Sequence, residues 1–279
     1  MIQHTDFGGV GESIHFVHAN GYPPACYFPL LAQFKTSYHV FAMHLRPLWP
    51  DANPKQIKDW HPLTNDFMCH IKENSSSPVI AIGHSVGAIV ALRAAIAFPD
   101  YFKALILIDP VLFLPNIILI WNLARMLGLG HKVHPLIPGA LKRRRIFNDL
   151  DLLFESYRQK KIFRYFDDTS LWAYIRGITV PSRVSGYELA YSPEWEVQIY
   201  DSGVSKDMDI WKNLSSLKVP TIILRGAETD TFLPQTAKRI KQLSPQIRIV
   251  TIEKSTHLVP LEKPKETFES IHSFLKEIL

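Results

Sequence analysis

Val79-Ile80-Ala81-Ile82-Gly83-His84-Ser85-Val86-Gly87-Ala88-Ile89-Val90-Ala91 is the stretch on which the reading of this chain turns. The apolar run Pro78 to Ile82 has the length and β-branched content of a buried strand. From Val86 to Phe98 the spacing predicts a helix, and its small residues Ala88, Ala91, Ala94, Ala95 and Ala97 suit close packing. Between them stands G-x-S-x-G. A serine held exposed on a sharp strand-to-helix turn occupies strained φ/ψ space, and glycines on either side let strand and helix pass close by. Ser85 is therefore a candidate nucleophile. The N–H of Val86, at the start of the helix, lacks an intrahelical acceptor and can face negative charge developing on a substrate oxygen.

Working outward, short apolar runs alternate with helical patterns. Strands are expected at Ile14 to Val17, Val40 to Met43, Leu105 to Ile108, Thr221 to Leu224 and Ile247 to Ile252. Helices are expected at Thr64 to Lys72, Pro234 to Leu243 and Thr267 to Ile278. Such alternation predicts βαβ units and a mostly parallel sheet with helices on both faces, an α/β fold. From Val111 to Tyr200 the texture changes to aromatic-rich helical stretches broken by Pro and Gly. The expected organisation is one α/β core, residues 1–110 and 201–279, carrying an inserted helical cap at 111–200.

A serine hydroxyl needs a general base, an acid that orients the base, and donors for the oxyanion. In doubly wound sheets these groups lie just past the carboxyl ends of strands. His257, in Ser255-Thr256-His257, follows the last strand and is the expected base. His84 adjoins Ser85 in the turn, where neighbouring side chains diverge, and His18 ends an early strand. For the acid, Asp230 in Arg225-Gly226-Ala227-Glu228-Thr229-Asp230 is preferred, with Asp109 and Glu228 left open; the order Ser, Asp, His suits Asp230 and Asp109 alike. The loop His18-Ala19-Asn20-Gly21-Tyr22-Pro23 offers the second oxyanion donor, with the Asn20 N–H favoured and those of Gly21 and Tyr22 left open.

Taken together, His18-Ala19-Asn20-Gly21, the Ser85 turn, Leu224 to Asp230 and Ser255-Thr256-His257 resemble an α/β-hydrolase fold serine hydrolase with a cap. The resemblance covers nearly the whole chain, and it implies a cap inserted after the strand that ends at Ile108. The loop Met43 to Pro47 departs from the family's Asp-x-Arg-Gly: Arg46 is kept, while His44 and Pro47 stand where Asp and Gly are common. The N-terminus is short for the family's opening hairpin, which implies that one or two edge strands are missing. Haloalkane dehalogenases and epoxide hydrolases share fold and cap but use Asp where Ser85 stands. The implied activity is hydrolysis of a small or medium carboxylic ester. Rival readings are a carbon–carbon bond hydrolase or lyase using the same triad, and a non-catalytic ligand receptor.

Composition sets the remaining bounds. The 279 residues are 47% hydrophobic and 20% charged. Met1 to Val10 show no basic stretch followed by an apolar run, and Cys26 and Cys69 give no disulfide framework, so a cytoplasmic protein is expected. The span Pro78 to Phe98 contains His84, Ser85 and Arg93 and reads as buried strand and helix, so no stable membrane insertion is expected. The net charge of +5 owes much to Lys142-Arg143-Arg144-Arg145, with His131, Lys132 and His134 upstream. That run reads as a solvated helix face; the competing reading is an acidic partner, either a phosphate-bearing substrate or an anionic membrane surface. No nucleic-acid motif accompanies it, and the sequence has no H-E-x-x-H, Cys/His cluster or G-x-G-x-x-G after a strand, so neither a metal nor a nucleotide cofactor is implied. Some of the aromatics at Trp121, Phe163, Tyr165, Phe166, Trp172, Tyr174, Tyr187, Tyr191 and Trp195 are expected to line a pocket for a small-molecule substrate with an apolar portion.

Overall fold

The computed structural model describes residues 1–279, the side chain of Val133 excepted. Ten strands form two sheets: β1 His4–Gly8, β2 Glu12–Val17, β3 Tyr38–Met43, β4 Val79–His84, β5 Phe102–Ile108, β6 Ile146–Phe147, β7 Thr179–Pro181, β8 Tyr187–Leu189, β9 Thr221–Gly226 and β10 Arg248–Ile252. Seven make the main sheet in the order β1-β3-β2-β4-β5-β9-β10. Only β1 runs antiparallel, paired with β3 through His4–Met43 and Thr5–Ala42; the other pairings are parallel.

The parallel strands are buried on both faces, which is why they read as continuous apolar runs. Every residue of β4 is buried, and so is all of β5 except Lys103. Where polar residues interrupted that pattern the strands prove longer than the sequence suggested. β2 begins at Glu12 because Ser13 and His15 are accommodated, with His15 Nε2 2.9 Å from Ser75 Oγ and its ring stacked on Phe41. β1, with the polar sequence His-Thr-Asp-Phe-Gly, supplies one antiparallel edge strand at the N-terminus.

Helices cover both faces. On one side His61–Asn74 and Val86–Ala97 pack with Trp60, Leu63, Phe67 and Ile89; on the other Pro264–Ile278 places Ile271, Phe274 and Leu275 over Phe16, Ile80 and Ile106. Helix Val86–Ala97 lies deepest, with ten residues buried, because its alanines allow close approach to the sheet. Its one charged residue, Arg93, is held by Asp207 at 2.8 Å and Asp209 at 3.0 Å, as a buried charge must be.

The segment between β5 and β9 adds no strand to the main sheet. It contains helices Pro115–Met126, Leu150–Arg158, Asp168–Ile178 and Pro193–Ser202, together with the small antiparallel sheet β6-β8-β7, so the segment expected as a helical cap is not purely helical. Helix Pro193–Ser202 runs across residue 200.

Candidate active site

Ser85 sits immediately after β4 with φ 59° and ψ −119°, and it caps the start of helix Val86–Ala97. A non-glycine residue in that region stores strain of about 1–3 kcal/mol, held here by packing. Its N–H donates to Ile108 O at 3.0 Å, pinning the turn to the neighbouring strand. The flanking glycines are required by contact: a Cβ on Gly83 would lie 2.3 Å from Gly87 O, and one on Gly87 would lie 2.1 Å from Val17 O. This second contact draws the helix start against the end of β2. The N–H groups of Val86 and Asn20 thus belong to adjacent loops, and among the described residues neither has an acceptor.

Two hydrogen bonds continue from Ser85. His257 Nε2 stands 2.9 Å from Ser85 Oγ, and His257 Nδ1 stands 2.8 Å from Asp109 Oδ1. Because an ionised carboxylate can only accept, Nδ1 carries the proton and Nε2 is free to accept from the serine hydroxyl. Asp109 is fully buried directly after β5, with φ 40°. Its Oδ2 also accepts from Gly226 N–H at 2.9 Å, and its Oδ1 from the Thr229 hydroxyl at 2.6 Å. Those bonds fix the rotamer that faces the imidazole.

Asp230, the residue preferred from sequence, does not reach His257. It is exposed, and its Oδ1 accepts from Thr231 Oγ1 at 3.2 Å. The turn after β9 directs Thr229 inward and Asp230 out. Glu228 is exposed as well, bonded by Arg164 at 2.6 Å and by the Tyr165 hydroxyl. Of the three acids left open, geometry puts Asp109 beside the histidine.

Asn20 is anchored by the segment between β5 and β9: its Nδ2 donates to Glu196 O at 2.9 Å and its Oδ1 accepts from the Tyr191 hydroxyl at 2.7 Å. With both ends of the side chain engaged, the backbone N–H is a donor that the protein leaves without an acceptor. Arg143, read as part of a solvated run, is instead largely buried, with Nη1 2.7 Å from Glu196 Oε2 and Nη2 3.2 Å from the Tyr174 hydroxyl. Both Arg143 and Glu196 abut Gly21. Among the aromatics of the segment between β5 and β9, Phe163, Phe166 and Tyr174 pack on one another, and Trp172 stacks on Phe154 at 4.7 Å. The loop after β3 uses Arg46 in an ion pair with Asp66 at 2.6 Å.

A second array, which sequence reasoning did not find, joins the three loops of the site. The Tyr27 hydroxyl accepts from Ala19 N–H at 3.1 Å and donates to His84 Nδ1 at 2.7 Å, while His84 Nε2–H donates to His257 O at 2.9 Å. All donors and acceptors in it are matched, and both side chains are fully buried. Tyr27→Phe leaves the Ala19 N–H and His84 Nδ1 without partners, each costing about 1–3 kcal/mol. A loss of stability of that order is expected from denaturant unfolding; an unchanged midpoint would contradict the network. Glu262 steadies the same loop by accepting from Thr256 N–H at 2.6 Å and Thr256 Oγ1 at 2.9 Å, and burial raises its pKa.

Burial also holds several histidines neutral. His15, His18 and His70 are pushed down to about 3, and His84 well below the ordinary histidine value. His18 bridges Ala19 O at 2.8 Å and Leu45 N–H at 3.1 Å, which needs the neutral ring. A depressed folded-state value means that the unfolded chain binds protons which the folded one refuses. The stability contributed by these rings is therefore present above pH 6.5 and lost as pH falls toward 3, by up to about 1.4 kcal/mol per unit per ring. Denaturant midpoints measured from pH 8 to 4 should fall steeply below 6.5; a flat profile would refute this.

Among the described residues no group of three metal-ligating side chains is placed to hold an ion, and no helix is long and apolar enough to cross a membrane. Residues 16–270 match the alpha/beta hydrolase family. An Acinetobacter baylyi protein named (E)-2-((N-methylformamido)methylene)succinate hydrolase is 20% identical over 96% of this chain and 92% of its own length. A mouse sn-1-specific diacylglycerol lipase is 23% identical over 82% of this chain and 67% of its own. The crystal structure of an E-2-(acetamidomethylene)succinate hydrolase superposes with a TM-score of 0.78 at 17% identity, covering 99% of this chain and 95% of that one. With the family's pattern spanning nearly the whole chain and its sheet, turn and crossing order all present, the protein belongs to the alpha/beta hydrolase family.

Proposed function

We propose that this protein is a serine hydrolase that cleaves a small or medium carboxylic ester, or a related acyl compound, through a Ser85–His257–Asp109 triad. The observation that carries this reading is the unbroken chain of hydrogen bonds from Ser85 Oγ to Asp109, at 2.9 and 2.8 Å. As Ser85 Oγ attacks the acyl carbon, its proton passes to His257 Nε2, and Asp109 stabilises the imidazolium that forms. The carbonyl oxygen, now anionic, is met by the N–H groups of Val86 and Asn20, donors fixed before the charge develops. Collapse returns the proton from His257 to the leaving alkoxide, giving the alcohol and an acyl-enzyme on Ser85. Water, deprotonated by His257, then releases the acid and restores the serine. The hydrolase names of the relatives support acyl chemistry of this kind and leave the acyl group open.

A fluorophosphonate probe tests the proposal directly. One equivalent of probe on Ser85, found by peptide mass mapping and blocked by prior heat unfolding, is expected; an unlabelled folded protein would favour the ligand-receptor reading. Product analysis on esters against β-diketones then distinguishes ester from carbon–carbon bond cleavage.

A further inference from the structure

Helix Pro115–Met126 buries Ile118 yet leaves most of its apolar side chains outside. Three polar side chains in its last turns face the protein, while Asn116 in the first turn is exposed: Asn122 Nδ2 donates to Ser205 O at 2.9 Å, Trp121 Nε1 to Gly203 O at 2.9 Å, and Arg125 lies 4.0 Å from Asp201. Its outer face is apolar, with Leu119, Ile120, Leu123, Met126 and Leu127 all exposed, Met126 to 77%. The spacing i, i+1, i+4, i+7, i+8 makes these five one continuous stripe. A soluble surface helix has the opposite arrangement.

A second, short helix in the same segment also exposes leucines. Helix Ile137–Leu141 packs through Ile137 and Ala140 on Val197 and Tyr200, and it leaves Leu136 and Leu141 exposed. The His134 ring lies between Trp121, at 5.4 Å, and Tyr200, at 5.1 Å, so the two helices flank the same support. Charge is one-sided here: from Pro110 to Asn148 the sequence holds six Lys and Arg and no Asp or Glu. Arg143 and Arg145 are paired with Glu196 and Glu194, whereas Lys132, Lys142 and Arg144 are exposed without a carboxylate partner among the described residues.

We propose that this face docks the protein peripherally on an anionic phospholipid bilayer, the leucine stripe entering the headgroup boundary while Lys132 and Lys142 meet lipid phosphates. Interfacial helices bury an apolar face by roughly 5–10 Å and gain from cations at its margin. A second copy of the chain fits this face poorly. An isologous contact sets the same patch against itself, and here that would bring unpaired cations together with no acid in the segment to offset them.

Co-sedimentation with vesicles of phosphatidylcholine alone and with about 30% phosphatidylglycerol tests the proposal. Native protein is expected to bind the anionic vesicles, and less so at high salt. Leu119→Ser with Leu123→Ser should weaken binding by about tenfold or more, and Lys132→Gln with Lys142→Gln by about fivefold per cation. Ile120→Ser with Met126→Ser serves as a second apolar pair should the first fail to fold, as judged by circular dichroism. The proposal is overturned if native protein ignores anionic vesicles, binds both kinds equally, or binds undiminished when the stripe is made polar. Sedimentation equilibrium showing a dimer that the serine variants abolish would assign the face to a second copy instead.

Discussion

Asp109→Asn is expected to lower kcat/KM for a short p-nitrophenyl ester by about 10⁴-fold, while Asp230→Asn leaves it within about twofold of native. The difference follows from position. Asp109 holds the His257 Nδ1 proton from a fully buried site, whereas Asp230 is exposed and bonded only to Thr231. An asparagine at 109 can offer its amide N–H₂ to the ring, which stabilises the opposite tautomer and leaves Nε2 protonated and unable to accept from Ser85. The measurement is steady-state kinetics on both variants after their unfolding midpoints have been matched to native. Comparable losses in the two, or the larger loss in Asp230→Asn, would remove Asp109 from the triad.

Ser85→Ala is expected to cost still more, about 10⁴ to 10⁶-fold in kcat, because no other hydroxyl is aligned with His257 Nε2. The folded state should survive, since Oγ makes no bond except to His257 and alanine keeps the Cβ within the same turn. Substrate binding should change little. Retained turnover in a well-folded Ser85→Ala protein would mean that the nucleophile lies elsewhere.

The residues legible in the sequence were those whose local chemistry forces a spelling. The Ser85 turn needs small neighbours, and the contacts of Gly83 with Gly87 O and of Gly87 with Val17 O show why. His257 was found because a single histidine lies between the last strand and the last helix. The acid was not legible in the same way, since two strand ends each present a carboxylate and no periodicity tells which loop turns its side chain toward the histidine. Asp109 follows β5 directly, whereas Asp230 lies four residues beyond the end of β9, and the intervening turn selects the Thr229 hydroxyl to face inward. The Tyr27–His84 array and the Arg143–Glu196 pair were illegible for a related reason. Each joins segments far apart in the chain, and a cationic run gives no sign of which arginine will be buried.

The capture of Asn20 by Tyr191 and Glu196 ties two events together in time. Any fluctuation that lifts helix Pro193–Ser202 away from the core must break the Asn20 bond to Glu196 O and pull on the Arg143–Glu196 pair packed against Gly21. The loop that carries the Asn20 N–H is released by the same motion. In the proposed mechanism, displacing that helix and displacing the Asn20 donor would thus be one event, since the same bonds hold both. Activity by the proposed route would then demand that helix Pro193–Ser202 stay seated on the Asn20 loop.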